Sequence, residues 1–355
     1  MGRPVSARGR TLGAALLTAF VLVAEEPGAA LQEARQDRLP PALESYLTSA
    51  VHLSSKERRA LVSGKPVSKL MDADASKEVA VFGAVWINAS AAQYVERVKD
   101  IETFERGAAL RNTTRISDPP RLEDFAKLTL PDDDLADLRR CRVGDCKVKL
   151  GAQSLQRFQT EIDWRQPTAK SDAMALFRRL AFEYVVGYRE GGNARLAVYR
   201  DADRPTFVAS EFSSMVERLP ALEAMPDLQR YLLEYPAASL AGSTDFLYWQ
   251  ETRFGLRPTI RINHLVIQER PDSTVVASKM LYASHYFWTA LEIRVLLPDP
   301  DRGPGFWFVM VSRARSDGLS GFLGRIIRGR VRDEAKRGTL TALVATRAVL
   351  EATSR

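Results

Sequence analysis

The chain has 355 residues, of which 45% are hydrophobic and 27% are charged, and its formal net charge is +7. These values are ordinary for globular proteins and exclude a collagen-like or intrinsically disordered chain. The length allows one large domain or two of average size, with a sizeable core.

The first 30 residues have the pattern of a signal peptide. Arg3, Arg8 and Arg10 precede an apolar stretch over 11–24, and Gly28-Ala29-Ala30 offers a small-residue cleavage site. The stretch is shorter than a membrane span, which needs roughly 20 apolar residues. We expect an exported protein, periplasmic or secreted; the alternative is an N-terminal anchor that is not cleaved.

The positive net charge allows two interpretations once a nucleic-acid partner is set aside. Export conflicts with a nucleic-acid partner, so none is expected. Many basic residues fall late in the chain, at Arg325, Arg328, Arg330, Arg332, Lys336 and Arg337. They indicate either a transient contact with an anionic membrane surface or simply a solvated helix face.

Helices and one strong strand are predicted in the first hundred residues. Residues 31–64 form an N-terminal helical segment, in which Ser54 to Glu57 resembles a capping box. Glu78 to Ile87 is rich in β-branched and aromatic residues and predicts a strand. Ser90 is a good N-cap for a helix that begins at Ala91.

The segment 102–244 is predicted to be mostly helical and to interrupt the main domain, which we place at 65–353. It contains the two cysteines, Cys141 and Cys146, with Gly144-Asp145 between them. A disulfide across this turn suits an oxidising compartment; free thiols or a redox pair are the alternatives. No histidine lies nearby, so no metal site is expected.

Strands return from Asp245 onward. Asp245–Phe254, Thr259–Glu269 and Gly305–Arg315 are predicted strands, and Thr274–Leu297 is long for one. Its apolar phase changes near Leu291, because Glu292 and Arg294 occupy the parity that Trp288 and Ala290 hold. This change predicts a bulge or break at 289–292.

The last element is a long amphipathic helix. It begins at Leu319 and has no proline. Its predicted apolar face consists of Leu319, Phe322, Leu323, Ile326, Ile327, Val331, Ala335, Ala342, Ala345 and Val349.

The chain resembles the START-like superfamily, also called SRPBCC or helix-grip, and its exported bacterial members. The resemblance is carried by Val79–Tyr94, by Tyr282–Leu297 and by the helix Leu319–Glu351, and it covers about residues 65–353 without 102–244. It implies an α+β fold in which a curved antiparallel sheet is covered by the C-terminal helix. It also implies a cavity between the two for a lipid or other hydrophobic molecule, with no cofactor.

The residues expected to line that cavity are aromatic, apolar or histidine, as ligand pockets usually are. They are Trp249, His264, Tyr282, His285, Tyr286, Trp288, Phe308, Met310, Phe322 and Ile326. Each of them could instead be ordinary core. His264 and His285 could equally be structural histidines.

Three functions remain open. The first is non-enzymatic binding or carriage of a lipid-like molecule in the cell envelope. The second is a START-like cyclase or hydrolase, which requires His264 and His285 to point into one cavity. The third is a structural or interaction protein that uses 102–244 as its partner surface. Catalytic residues are not assigned, because the sequence has no G-x-S-x-G, H-E-x-x-H, P-loop or G-x-G-x-x-G motif.

Overall fold

A computed structural model describes residues 1–2, 38–105, 110–254, 257–319 and 321–353. Most of the predicted signal peptide lies outside these residues. None of the helices in the described part of the chain is both long enough and apolar enough to cross a membrane.

The first part of the chain alternates short helices and strands. Its elements are α1 (Pro41–Tyr46, extended by a π-helical turn Leu47–Val51), α2 (Ser55–Val62), β1 (Val67–Leu70), β2 (Glu78–Ile87), α3 (Ala91–Lys99), α4 (Ile101–Phe104) and β3 (Leu110–Arg115). Ser54 and Ser90 cap α2 and α3 in complete capping boxes.

A mostly helical segment follows β3. Its elements are a 3₁₀ turn (Leu122–Phe125), α5 (Asp132–Leu138), α6 (Ala152–Thr160), α7 (Ala169–Gly191), a second 3₁₀ turn (Gly192–Arg195), β4 (Val198–Tyr199), β5 (Thr206–Phe207), α8 (Val208–Val216), α9 (Pro220–Glu223) and α10 (Pro226–Glu234). We call residues 116–242 the insertion. The predicted helical segment started earlier, at residue 102, and therefore included the residues that form β3.

The last part is five long strands and one helix. They are β6 (Ser243–Phe254), β7 (Arg257–Glu269), β8 (Thr274–Ala283), β9 (Phe287–Pro298), β10 (Phe306–Ser316) and α11 (Gly321–Thr353). The main sheet has eight strands in the order β1-β2-β10-β9-β8-β7-β6-β3, and every neighbouring pair is antiparallel. The predicted α+β class with an antiparallel sheet and a C-terminal helix is confirmed.

The two faces of the sheet are covered by different parts of the chain. One face, which we call the helix face, includes Gly83, Phe308 and Leu265 and packs against α3 and α11. The other, which we call the insertion face, packs against the N-terminal helices, α8–α10 and the rest of the insertion. Because side chains alternate along a strand, each strand contributes to both layers.

The prediction of which residues form the apolar face in the second half of α11 is wrong. Ala342, Ala345 and Val349 are exposed, and the side chains that meet the sheet are those of Thr339, Leu343 and Leu350. The side chains of Phe322, Leu323 and Ile326 lie outside the described residues. Ile327, also assigned to the apolar face, is exposed.

The break predicted inside Thr274–Leu297 exists at a different place. The chain turns at 284–286, where Tyr286 has a φ of 60°, and β9 then runs without interruption through 289–292. A register shift against β10 lies between Phe287 and Thr289, just before the predicted region, and the alternation of β9 is regular from Thr289 onward. Leu291 and Ile293 face the insertion, whereas Glu292 and Arg294 face the other side.

Close contact between β2 and α11 depends on Gly83. A Cβ atom at this position would lie 2.6 Å from Cγ2 of Thr339 and 3.1 Å from Cδ1 of Leu343. We expect Gly83→Ala to lower the free energy of unfolding by about 1–3 kcal/mol, because overpacking displaces the helix. Urea unfolding measures this loss.

A second substitution tests the cause of that loss. Thr339→Ser removes the nearest methyl group and should recover part of the stability of Gly83→Ala. Gly187→Ala is the matched control, since a Cβ on this helical glycine meets nothing within 4 Å. An equal loss in Gly187→Ala, or no recovery in the double variant, would contradict the assigned contact.

Candidate functional site

The residues predicted to line one cavity are divided between the two faces. Phe308 and Met310 lie on the helix face. Trp249 and Tyr282 lie among the side chains of the insertion, on the opposite face. His264 also lies there, where it bonds Tyr188 of α7.

The other predicted residues lie at the margins. His285 and Tyr286 belong to the turn between β8 and β9, and half-buried Trp288 lies next to the register shift between β9 and β10. The side chains of Phe322 and Ile326 lie outside the described residues. The set was assigned to one surface because hydrophobicity marks a strand residue as buried without telling which face it is on.

The helix face has an accessible area at its centre. Residues on the middle strands of a covered sheet are normally buried. Leu296 and Phe308 follow this rule. Further along the same strands, six residues of the helix face are only half-buried. We call them the open patch: Ser278, Ala290, Glu292, Arg294, Ser312 and Ala314. Residue register places them side by side on β8, β9 and β10.

The open patch combines small side chains with one ion-pair cluster. Arg294 contacts Glu292 at 2.5 Å and Glu105 at 3.4 Å, and its guanidinium donates to the hydroxyl of Tyr94 at 3.2 Å. Burial alone would lower the pKa of Arg294, but the two carboxylates and Tyr94 outweigh it and raise that pKa. Arg294 therefore stays charged and paired with two carboxylates at one edge of the patch, while the alanines and serines of the patch have short side chains.

A cleft of about 410 Å³ lies on the insertion face, beneath α7. Its walls are mainly apolar, and the hydroxyls of its three tyrosines are occupied by the backbone. Tyr184 donates to Leu281 O, Tyr282 donates to Lys149 O, and Tyr199 accepts from Ala283 N. The O–H donors of Tyr184 and Tyr282 are therefore used by backbone carbonyls, and these residues present their rings to the cleft.

His264 belongs to a buried polar network. Its Nδ1 is 2.9 Å from the Tyr188 hydroxyl, and its Nε2 is 3.1 Å from Oδ1 of Asp245. Lys279 donates to the same Tyr188 hydroxyl at 3.2 Å and to Oδ1 of Asn193. The network joins α7 to the central strands.

The charges of this network are set by its burial. Desolvation lowers the pKa of His264, although Asp245 opposes the shift. Burial also lowers the pKa of Lys279 to about 7. For Asp245, burial acts to raise the pKa, but His264 and Arg189 prevail and hold it well below its usual range.

His285 belongs to a separate network. Its Nε2 is 2.8 Å from Oδ2 of Asp134, and its Nδ1 is 3.0 Å from Lys147 O. Arg257 donates to Asp134 and Asp137 at 2.9 and 2.7 Å. These bonds attach α5 to the sheet beside the disulfide, where the sulfurs of Cys141 and Cys146 are bonded at 1.98 Å.

Among the described residues, His264 and His285 share no hydrogen-bond partner, and both are buried among hydrogen-bonded polar groups. The geometry that an acid–base pair in one cavity would require is therefore not present in these contacts. The described residues contain no group of three or more histidine, cysteine, aspartate or glutamate side chains that could hold a metal ion.

The sequence missed Ser278, Glu292, Arg294 and Ser312 of the open patch. The sequence did contain a signal for this polar surface, because Glu292 and Arg294 share the parity of Trp288 and Ala290. We interpreted it as a break in the strand, whereas it marks a polar surface on a continuous one.

No protein-family model matches the chain, and no curated protein matches it either.

Proposed function

We propose that the protein binds and carries a hydrophobic, lipid-like molecule on the helix face, in the cell envelope, without catalysing a reaction. The observation that carries this proposal is the open patch, because alanines and serines on the middle strands of the sheet remain accessible. A packed interior leaves few voids larger than a water molecule. Accessible space at this place therefore favours a bound molecule.

The arrangement of the chain supports the same proposal. A strand (β2) followed by a helix, consecutive antiparallel strands and a terminal helix returning to that first strand fit a helix-grip domain. In such a domain the ligand lies between sheet and terminal helix. Of the residues chosen from the sequence, Met310 and Trp288 border the open patch.

The polar groups favour an amphiphile over a pure hydrocarbon. Arg294 and Glu292 offer charge at one edge of the patch, and ligand pockets are typically apolar with a few polar groups that fix orientation. Asn263, the register partner of Met280 on β8, has a buried amide nitrogen with no hydrogen-bond partner among the described residues. An oxygen on the ligand would satisfy it.

Delivery to a membrane is part of the proposal. Arg330, Lys336 and Arg337 are exposed on α11. Basic side chains near an anionic surface attract it. A transient contact would let a lipid pass between bilayer and protein.

Blocking the patch tests the proposal. Ala290→Phe should fill the space over β9, and we expect it to remove the lipid that organic extraction and mass spectrometry detect in the purified wild-type protein. Ala342→Phe, on the exposed side of α11, is the matched control and should keep the lipid. Wild-type protein that is consistently empty, or equal lipid content in both variants, would refute the proposal.

A further inference from the structure

The cleft beneath α7 is independent of the open patch, since it lies on the opposite face of the sheet. Its volume of about 410 Å³ falls within the range of small-molecule sites, roughly 300–1,000 Å³. Phe177 and Ala181 of α7 line it together with Tyr282 of β8. It can therefore hold a ligand that the open patch does not hold.

Aromatic rings define the inner part of the cleft. Tyr282 lies edge-on to Tyr184 and to Tyr199, with ring centroids 6.1 Å apart in each pair. Because all three hydroxyls are bonded to the backbone, the rings are held in place. A flat aromatic molecule can add to this cluster by the edge-to-face and offset contacts that aromatic rings prefer.

One lining residue of the cleft, Arg195, is positively charged and exposed. Arg195 alone is charged among the side chains that line the cleft in the described part of the chain, and its guanidinium has no hydrogen bond or ion pair with the described residues. The first turn of α6, at Ala152 to Ser154, lines the same cleft. A helix N-terminus adds free N–H groups and a partial positive charge.

We propose that this cleft binds an aromatic carboxylate, with the ring against Tyr184 and Tyr282 and the carboxylate at Arg195. An anion matches the unpaired guanidinium, and charge-assisted hydrogen bonds to arginine are among the strongest available. The apolar walls exclude small hydrophilic anions as preferred ligands.

The experiment compares two probes of the same shape by isothermal titration calorimetry. One is 2-naphthoate and the other is the neutral alcohol 2-naphthalenemethanol. We expect the wild type to bind the naphthoate about fivefold or more tightly than the alcohol. Arg195→Gln should abolish this preference and leave binding of the alcohol unchanged.

Two further variants locate the probe. Ala181→Leu and Ala152→Leu narrow the cleft from different helices and should weaken the binding of both probes. The melting temperature verifies that at least one of these variants folds. Ala290→Phe, which blocks the open patch, should have no effect. Unchanged binding in both cleft variants, loss in Ala290→Phe, the absence of any naphthoate binding, or a preference that survives Arg195→Gln would overturn the assignment.

Discussion

Glu78→Gln is expected to lower the free energy of unfolding by about 3–5 kcal/mol, because it leaves the buried guanidinium of Arg313 without a carboxylate partner and takes one of two carboxylates from Arg315. Glu78 is the shared partner of Arg313 and Arg315, whose Nε atoms donate to its two carboxylate oxygens. All three side chains are buried, on adjacent strands β2 and β10. The amide that replaces the carboxylate cannot balance either charge.

The same cluster connects the sheet to the insertion. Arg315 also donates to the carboxylate of Glu211 at 2.8 Å, and Arg313 donates to Arg218 O at 2.6 Å. Urea unfolding should therefore show a lower midpoint with an unchanged slope if the protein unfolds in one step.

An exposed ion pair provides the control for Glu78→Gln. Glu96 and Lys99 are 2.9 Å apart on the surface of α3, so Glu96→Gln should cost at most about 1 kcal/mol. Equal losses in the two variants would show that the buried cluster contributes no more than a surface pair, and would contradict this account of how β2 and β10 are held.

Lys279→Met is expected to remove a rise of stability with pH. Burial lowers the pKa of Lys279 from 10.5 to about 7. Between pH 7 and 10.5 the unfolded chain therefore binds a proton that the folded chain does not, and raising the pH favours folding. The contribution is at most about 1.4 kcal/mol per pH unit. Below pH 7 both states hold the proton, so the full cost of the buried charge persists.

The difference between wild type and variant isolates this residue from other titrating groups. Thermal unfolding should be measured at pH 7, 8 and 9. The stability advantage of Lys279→Met over the wild type should be largest at pH 7 and should shrink as the pH rises. Lys56→Met, at an exposed position of α2, should follow the wild type. A constant difference across the three pH values would mean that Lys279 keeps its proton in the folded protein.

The central elements of the fold were predictable because their signals are local. β2 was predicted at its observed bounds, since ten consecutive apolar and β-branched residues, apart from Glu78, suit a strand buried on both sides. The capping box at Ser54 and the N-cap at Ser90 were likewise predictable from a few adjacent residues, and the structure shows that Ser90 also forms a complete capping box. Disulfide partners were predictable because the chain has two cysteines, which lie close in sequence.

Other elements depend on contacts that the sequence does not display. β3 has the polar sequence LRNTTR and becomes a strand by pairing with β6 at the edge of the sheet. The face of α11 that meets the sheet includes Thr339 because Gly83 leaves room for it. No periodicity of apolar residues marks such a contact.

The site was only partly predictable for the same reason. Tyr282 and Met310 were both chosen as ligand contacts, yet they lie on opposite faces, and each borders a different candidate site. Register between strands determines which side chains share a surface. That register includes a shift between Ile262 and Asn263, which nothing in the local sequence signals.

The most direct test of the central claim is a crystal structure of the full protein purified without detergent from the cells that produce it. We predict continuous density of a non-protein amphiphile over Ser278, Ala290 and Ser312, with its polar end towards Arg294. Protein side chains that fill this space completely would contradict the proposed carriage of a lipid-like molecule.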